Sequence, residues 1–312
     1  MFLRLGALTV ALDSPSPVLR SHWRYLFGRW LSASAASRPN ASGGVIKFRL
    51  TVAPTLPPPP KSPPVYHDPL VDVYLPDPGT FTIYFAAGAA TTVRLPSGAE
   101  ACGSVSGITL PALMEHDHLH DVIFTSVAPL LRRRDHFLMH AFGASRGGEA
   151  TLLIGPSGSG KTTGGLSLVL GGWKLLANDS LLLVRRPDRV YALPTPGRLR
   201  IRPHTFQLLP ALQNNAMSRA TELEEHVWGA AAPVCSLHFP TVGRQRRSTV
   251  QPLPSAVCLA RLIEESVDRW DQETFPAHLA LLDQLSRQAP AYALTLGQDV
   301  AQLPQRLERE ML

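Results

Sequence analysis

Gly155-Pro156-Ser157-Gly158-Ser159-Gly160-Lys161-Thr162 satisfies the pattern G-x-x-x-x-G-K-[ST] at every fixed position. Glycines let a backbone curl so that successive N–H groups point inward at phosphate oxygens without side-chain collision. Lys161 offers a point positive charge to the β and γ oxygens of a nucleoside triphosphate, and the Thr162 hydroxyl is a hard oxygen ligand for Mg²⁺. Thr163 carries the loop into the following helix. Lysine is scarce here: of 30 basic residues only Lys47, Lys61, Lys161 and Lys174 are lysines. A lysine at the motif position is therefore hard to obtain by accident, although the arginine bias itself follows from genomic base composition.

The flanking residues supply the context such a loop needs. Ala150–Ile154 is a continuous apolar run that reads as a strand entering the loop. Thr162–Leu170 reads as a helix leaving it, stopped by Gly171-Gly172, with its positive dipole end beneath the anion. The next strand, Trp173–Ala177, ends in Asn178-Asp179, and Asp179 lies only eighteen residues beyond Lys161. A carboxylate placed there can hold Mg²⁺ directly or through water, or accept the proton of an attacking hydroxyl. An Asn-Asp turn that merely closes a strand is the plainer alternative.

At these residues the chain resembles the HPr kinase/phosphorylase group and its wider family of related kinases. In that family a histidine precedes the strand before the phosphate loop, and a tight helix leads to a strand ending in paired acids. The matching stretches are Met139-His140-Ala141, Gly155–Thr163 and Gly172–Asp179, and the resemblance spans about residues 125–205. It implies an α/β fold with a P-loop core of the HPr kinase and phosphoenolpyruvate carboxykinase type, using ATP and Mg²⁺ to phosphorylate a serine hydroxyl on a protein or peptide. By the same likeness Asp179, Lys161 and His140 would be catalytic. Gly155, Pro156, Ser157, Gly158, Ser159, Gly160, Lys161, Thr162 and Thr163 would hold the nucleotide, and Thr162 and Asp179 the metal. His140 lies fifteen residues before Gly155, and the Gly147-Gly148 turn folds it back toward the loop. It is either a partner near the γ-phosphate or a buried structural histidine.

Two departures stand out. Asn178 occupies the place of the family's first acid; it can orient a hydroxyl or ligate a metal but cannot take a proton, so the role of base falls on Asp179. The glycine-rich segment that leads the phosphorylase enzymes into their reverse reaction has no clear counterpart. Divergent members of this family modify ribosomal peptides, lasso peptides among them. A reading from another class is a nucleotide-binding regulatory or assembly protein without a phosphoryl acceptor. An ABC-type transport ATPase is not expected, since no L-S-G-G-Q-like segment follows.

The elements that must position these residues divide the chain into a β-rich N-terminal region, 1–124, and a P-loop kinase-like domain, 125–312. In the first, residues 5–12, 45–52 and several short runs between 71 and 95 read as strands, and 21–31 as a short, Trp-rich helix or turn. Residues 32–44 are a small-residue linker. Residues 54–64 contain four consecutive prolines and form an extended connector or an SH3-type ligand. Residues 110–132 carry Leu113, Leu119, Ile123, Val127 and Leu130 at helical spacing. Beyond the loop, 181–184 and 189–192 pair as strands. The stretches 198–202, 234–239 and 256–262 are further strand candidates, and 273–309 reads as helical. The N-terminal region is a candidate for recognition or for contacts in a homo-oligomer.

Composition bounds the rest. Hydrophobic residues form 45% and charged residues 17% of the 312, enough apolar content for a sizeable core. The net charge of +6 suits phosphate-bearing or acidic ligands, but there is no run of five or six basic residues, so nucleic acid is not an expected partner. Cys102, Cys235 and Cys258 are widely spaced and form no C-x-x-C pair, which fits reducing cytoplasm. The apolar run Leu5–Leu12 is too short to span a bilayer, and no membrane association is expected. Glu115-His116-Asp117-His118-Leu119-His120-Asp121 reads as a metal cluster or as the polar first turn of a helix. Arg198, Arg200 and Arg202 alternate on one face and would meet an anion or line a solvated edge. The basic loop Gly243–Ser248 would supply a transition-state arginine or be a solvated loop, and Arg132-Arg133-Arg134 would balance a helix dipole.

Overall fold

The computed structural model describes residues 1–33, 44–95, 100–197, 199, 201–214, 227–265 and 270–310. The chain is mixed α/β and forms two compact units, Met1–Asp135 with Asp268–Phe275, and His136–Val267 with Pro276–Leu312.

In the first unit, Gly6 breaks the apolar N-terminal run with φ 64°, so 5–12 is not one strand but part of a hairpin of β1 (Phe2–Leu5) and β2 (Leu8–Asp13). Ser16 caps α1 (Pro17–Phe27), which is followed by the short β3 (Leu31–Ser32). The segment 34–43, most of the expected linker, lies outside the described residues. Strands β4 (Val45–Ala53), β5 (Tyr66–His67), β6 (Val71–Asp77), β7 (Thr80–Phe85), β8 (Ala89–Arg94) and β9 (Glu100–Ser106) complete a nine-stranded sheet in the order β3-β1-β2-β4-β9-β8-β7-β6-β5. The proline-rich connector is held by Tyr84, whose hydroxyl donates to the carbonyls of Pro57 and Pro58. The expected helix 110–132 is two, α2 (Leu110–Glu115) and α3 (His118–Arg132), because Asp117 adopts a left-handed φ of 55°. His118 and His120 each face the Asp121 carboxylate at 3.5 Å, and no group of three metal-ligating side chains forms among the described residues. The arginines at the end of α3 do more than balance its dipole. Arg133 and Arg134 donate to the carbonyls of Pro129 and Leu130, while Arg132 and Arg133 both grip the buried Asp271.

The second unit begins with the long strand β10 (His136–Arg146), which turns at Gly147-Gly148 into β11 (Glu149–Ile154). Both glycines have positive φ, 60° and 87°, as a tight two-residue hairpin requires. After β11 come α4 (Lys161–Leu170), β12 (Lys174–Ala177), β13 (Ser180–Arg185), β14 (Val190–Leu193) and α5 (Pro203–Leu208). The remaining elements are β15 (Ala232–Val242), β16 (Thr249–Leu253), α6 (Ser255–Glu264), α7 (Phe275–Gln288), β17 (Ala291–Leu296) and α8 (Leu303–Glu310). The sheet order is β11-β10-β13-β14-β15-β17-β16, with β12 also paired to β10 and β11 also parallel to β15. The strands β11, β10, β13, β14 and β15 therefore close on themselves.

Alternation along β10 explains the layers. Phe137, Met139 and Ala141 join one core with β11, β13 and β15 and with Cys258, Leu262, Leu281 and Leu285 of α6 and α7. Phe142 and Ala144 join the other, with Leu166 and Leu168 of α4 and Leu303 and Leu307 of α8. Two expectations are corrected. Residues 256–262 form a helix, since Cys258 and Leu262 are one helical turn apart and bury together. The helical reading of 273–309 is interrupted by β17, bracketed by Pro290 and Gly297 and paired with both β15 and β16. Leu199, Ile201 and Arg202 belong to no strand, and Arg198 and Arg200 lie outside the described residues.

Candidate active site

Strand register brings the candidate residues together. β10 runs antiparallel to β11 with Ala141 opposite Ile154, and to β13 with His140 opposite Ser180. His140 is thus adjacent both to the residue before Gly155 and to the turn that holds Asp179. The Ala141 N–H donates to the Asp179 carbonyl at 2.9 Å and fixes that turn.

The loop 155–160 leads directly into α4. Gly158 and Gly160 have φ 85° and 100°, a region that disfavours any side chain. Gly160 is also confined, because a Cβ there would lie 2.5 Å from Leu296 Cδ1. Ser159 Oγ is buried without a hydrogen-bond partner, a surplus polar group inside the curl.

Lys161 is only 6% exposed. Its Nζ donates to the carbonyls of Gly155 at 2.5 Å and Pro156 at 3.1 Å, and to His140 Nε2 at 2.7 Å. Burial pushes its pKa below the usual lysine value, opposed by the negative charges of Asp179 and Glu265. A buried ammonium held by neutral acceptors gains from an anion brought within reach.

Asp179 Oδ1 lies 3.4 Å from His140 Nε2, and its side chain is half exposed. The Thr162 hydroxyl donates to Asn178 Oδ1 at 3.3 Å, so two oxygen donors already stand side by side near the Asp179 carboxylate. Such hard oxygens, completed by phosphate and water, fit Mg²⁺. His140, Lys161, Thr162 and Asp179 share the wall of one cleft of about 310 Å³ with the loop residues Ser157, Gly158 and Gly160. Arg202, His204 and Thr205 line the same cleft. Of these only Arg202 is signalled in the sequence, by the alternating arginines. Thr205, whose hydroxyl meets that of Thr163 at 2.9 Å, has no signal beyond Pro203, a residue suited to the first turn of α5.

The basic loop 243–248 folds against the connection between β17 and α8. Gln245 and Arg246 accept from the backbone N–H groups of Gln298 and Asp299, and Asp299 accepts from Ser248. No arginine of this loop borders the cleft that contains Lys161.

No family model matches the chain, and no curated protein matches its sequence. Among solved structures it is similar to the Hpr(Ser) kinase/phosphatase from Coxiella burnetii, with 9% identity and a TM-score of 0.29. That likeness covers 56% of this chain and 97% of the other. A likeness of this size says nothing of function, which rests on the residues of the cleft alone. No helix among the described residues is long and apolar enough to cross a membrane.

Proposed function

We propose that the chain is an ATP-dependent kinase that phosphorylates a serine hydroxyl of a protein or peptide, on a P-loop core of the HPr kinase and phosphoenolpyruvate carboxykinase type. The observation that carries this reading is the half-exposed carboxylate of Asp179 in the same cleft as the buried ammonium of Lys161, with His140 between them.

In this reading the loop amides and Lys161 bind the triphosphate, and Lys161 follows the charge that grows on the transferred group. Thr162, Asn178 and Asp179 are the oxygen donors that would hold Mg²⁺, which when bound neutralises phosphate charge. Asp179 orients the serine hydroxyl and accepts its proton as the new P–O bond forms and ADP departs with the old bond's electrons. His140, with Nε2 within reach of both Lys161 and Asp179, orients one of them at a time.

Asn178 favours a second reading, a nucleotide-binding regulator without an acceptor, because an amide in place of the expected acid cannot take a proton. The two are separated by incubating the protein with [γ-³²P]ATP, Mg²⁺ and a library of serine-containing peptides. The kinase reading expects label on serine with the parent and loss of it in Lys161→Ala and Asp179→Asn. Nucleotide binding without transfer to any peptide would favour the regulator.

A further inference from the structure

The +6 charge of the chain is not spread evenly along it. From Ser14 to His67 there are seven basic residues and no acidic one, while the remaining 23 basic and 24 acidic residues nearly cancel. The helix α1 stands in this tract. Its inner face buries Leu19, His22, Trp23, Leu26 and Phe27, with Trp23 edge-on to Phe48 and Phe27 edge-on to Phe124. Its outer face exposes Val18, Ser21, Arg24 and Tyr25, whose spacings of three, four and seven put them on one side of a helix. The Gly28 N–H closes on the Arg24 carbonyl with φ 35°, and the chain turns there to place Arg29 over the Trp30 ring at 5.4 Å. We propose that this face docks an acidic segment of a protein or peptide partner, with Arg24 and Arg29 taking its carboxylates and Val18 and Tyr25 its apolar side chains. The surface is separate from the phosphate loop, and its test uses no nucleotide.

Charge complementarity selects the partner. A helix N-terminus favours an acidic residue in its first turn, yet α1 has none there and none anywhere along it. The carboxylate that precedes the helix in the chain, Asp13, is already held by Arg49 at 3.4 Å. Arg20 donates to the Ser14 carbonyl at 2.6 Å and so serves the chain itself, which leaves Arg24 and Arg29 as the exposed cations of the face. Residue type points the same way. Arginine, tyrosine and tryptophan are the side chains that anchor protein interfaces, and here they stand beside Val18 and Tyr25, 49% and 42% exposed. The Tyr25 ring lies against that of the buried His22, 5.4 Å away, so less side-chain freedom is lost on contact. A bilayer fits less well. A membrane-surface helix lies down on its apolar face, and that of α1 is packed into the core. A nucleic acid is held mainly by charge along its phosphates, whereas this face sets two guanidiniums among apolar groups.

The test is fluorescence anisotropy on the full chain. The probes are a fluorescein-labelled peptide of glutamate, leucine and tyrosine and its counterpart with glutamine in place of glutamate. The parent is expected to bind the acidic peptide at least about tenfold more tightly than the neutral one. Arg24→Glu should weaken that binding at least about tenfold, and Tyr25→Ser about three- to fivefold. Arg287→Glu, the same change of charge at an exposed site on α7, should leave it within about twofold. Arg24→Gln, a milder change, should weaken it about threefold and gives the same comparison if charge reversal unfolds α1, which circular dichroism reports. An Arg24 variant no weaker than Arg287→Glu overturns the docking face, as does equal binding of the two peptides or binding of neither. Tighter binding of oligothymidylate or of phosphatidylserine vesicles, lost in Arg24→Glu, also overturns it and assigns the face to phosphate polyanions. None of these outcomes bears on the phosphate loop.

Discussion

The ammonium of Lys161 lies 2.7 Å from Nε2 of His140. Oδ1 of Asp179 lies 3.4 Å from that same nitrogen. One imidazole nitrogen cannot accept from the ammonium and donate to the carboxylate together. With Lys161 charged, His140 is neutral and accepts at Nε2. With its proton on Nε2 instead, the ring would donate to Asp179, so its contacts with Lys161 and Asp179 exclude one another. Replacing His140 with Ala should lower phosphoryl transfer about 10- to 100-fold while changing ATP affinity less than about threefold, as expected of a group that orients an acid–base residue. Steady-state kinetics beside calorimetry check this; equal losses in both would make His140 a phosphate ligand instead.

If Asp179 is the proposed base, its removal should cost most in the chemical step. Asp179→Asn should reduce transfer about 10²- to 10⁴-fold, with ATP binding largely kept because the loop amides and Lys161 remain. Asn178→Asp keeps an oxygen toward Thr162, so the 3.3 Å hydrogen bond survives, and transfer should be retained or increased. Single-turnover assays of the two variants give the comparison, and an Asp179→Asn enzyme as fast as the parent would remove the proposed base.

Two glycines of the loop and helix separate conformation from packing. Gly160 has φ 100° and little room beside Leu296, so Gly160→Ala should deform the curl and abolish nucleotide binding. Gly165 is helical, but a Cβ there would collide with the Phe142 ring. Gly165→Ala should therefore lower stability by about 1–3 kcal/mol through overpacking. Urea denaturation and calorimetry on both variants test the pair; an unperturbed Gly165→Ala would show that Phe142 yields freely.

How much of the fold and site is legible in the sequence depends on whether a residue type or a topology makes the signal. The loop announces itself because its glycines and lysine are demanded by backbone and charge. The Gly147-Gly148 hairpin is readable for the same reason. By contrast β17 is lost in a helical reading, because Leu294 and its neighbours also fit a helix and only Pro290 and Gly297 mark the ends. The helix α6 reads as a strand because a short apolar run suits both. His204, Thr205 and Val242 carry no motif. They reach the cleft only because the fold brings α5 against Thr163 and pairs β15 with β11.

His238 provides a pH test away from the loop. It is fully buried, stacks on Tyr292, bonds Ser236 at 3.3 Å through Nε2 and leaves Nδ1 without a partner. Burial holds its pKa at about 4, below the ordinary 6.5. Between these values the unfolded chain binds a proton that the folded one refuses, so this contribution to stability is present above about 6.5 and is lost as pH falls toward 4. Relative to His238→Gln, the parent should lose on the order of 2 kcal/mol between pH 7 and pH 4.5. Urea midpoints at the two pH values measure it, and parallel pH profiles would contradict the buried neutral histidine.

Equilibrium binding of Mg-ATP to the parent and to Lys161→Ala bears most directly on the central claim, that amides of the 155–162 loop and the buried ammonium of Lys161 hold a triphosphate. The expected result is saturable one-to-one binding by the parent and a loss of at least about 100-fold in the variant, the effect of removing a buried charge from an anion it pairs with. No binding by the parent, or equal binding by both proteins, would contradict it.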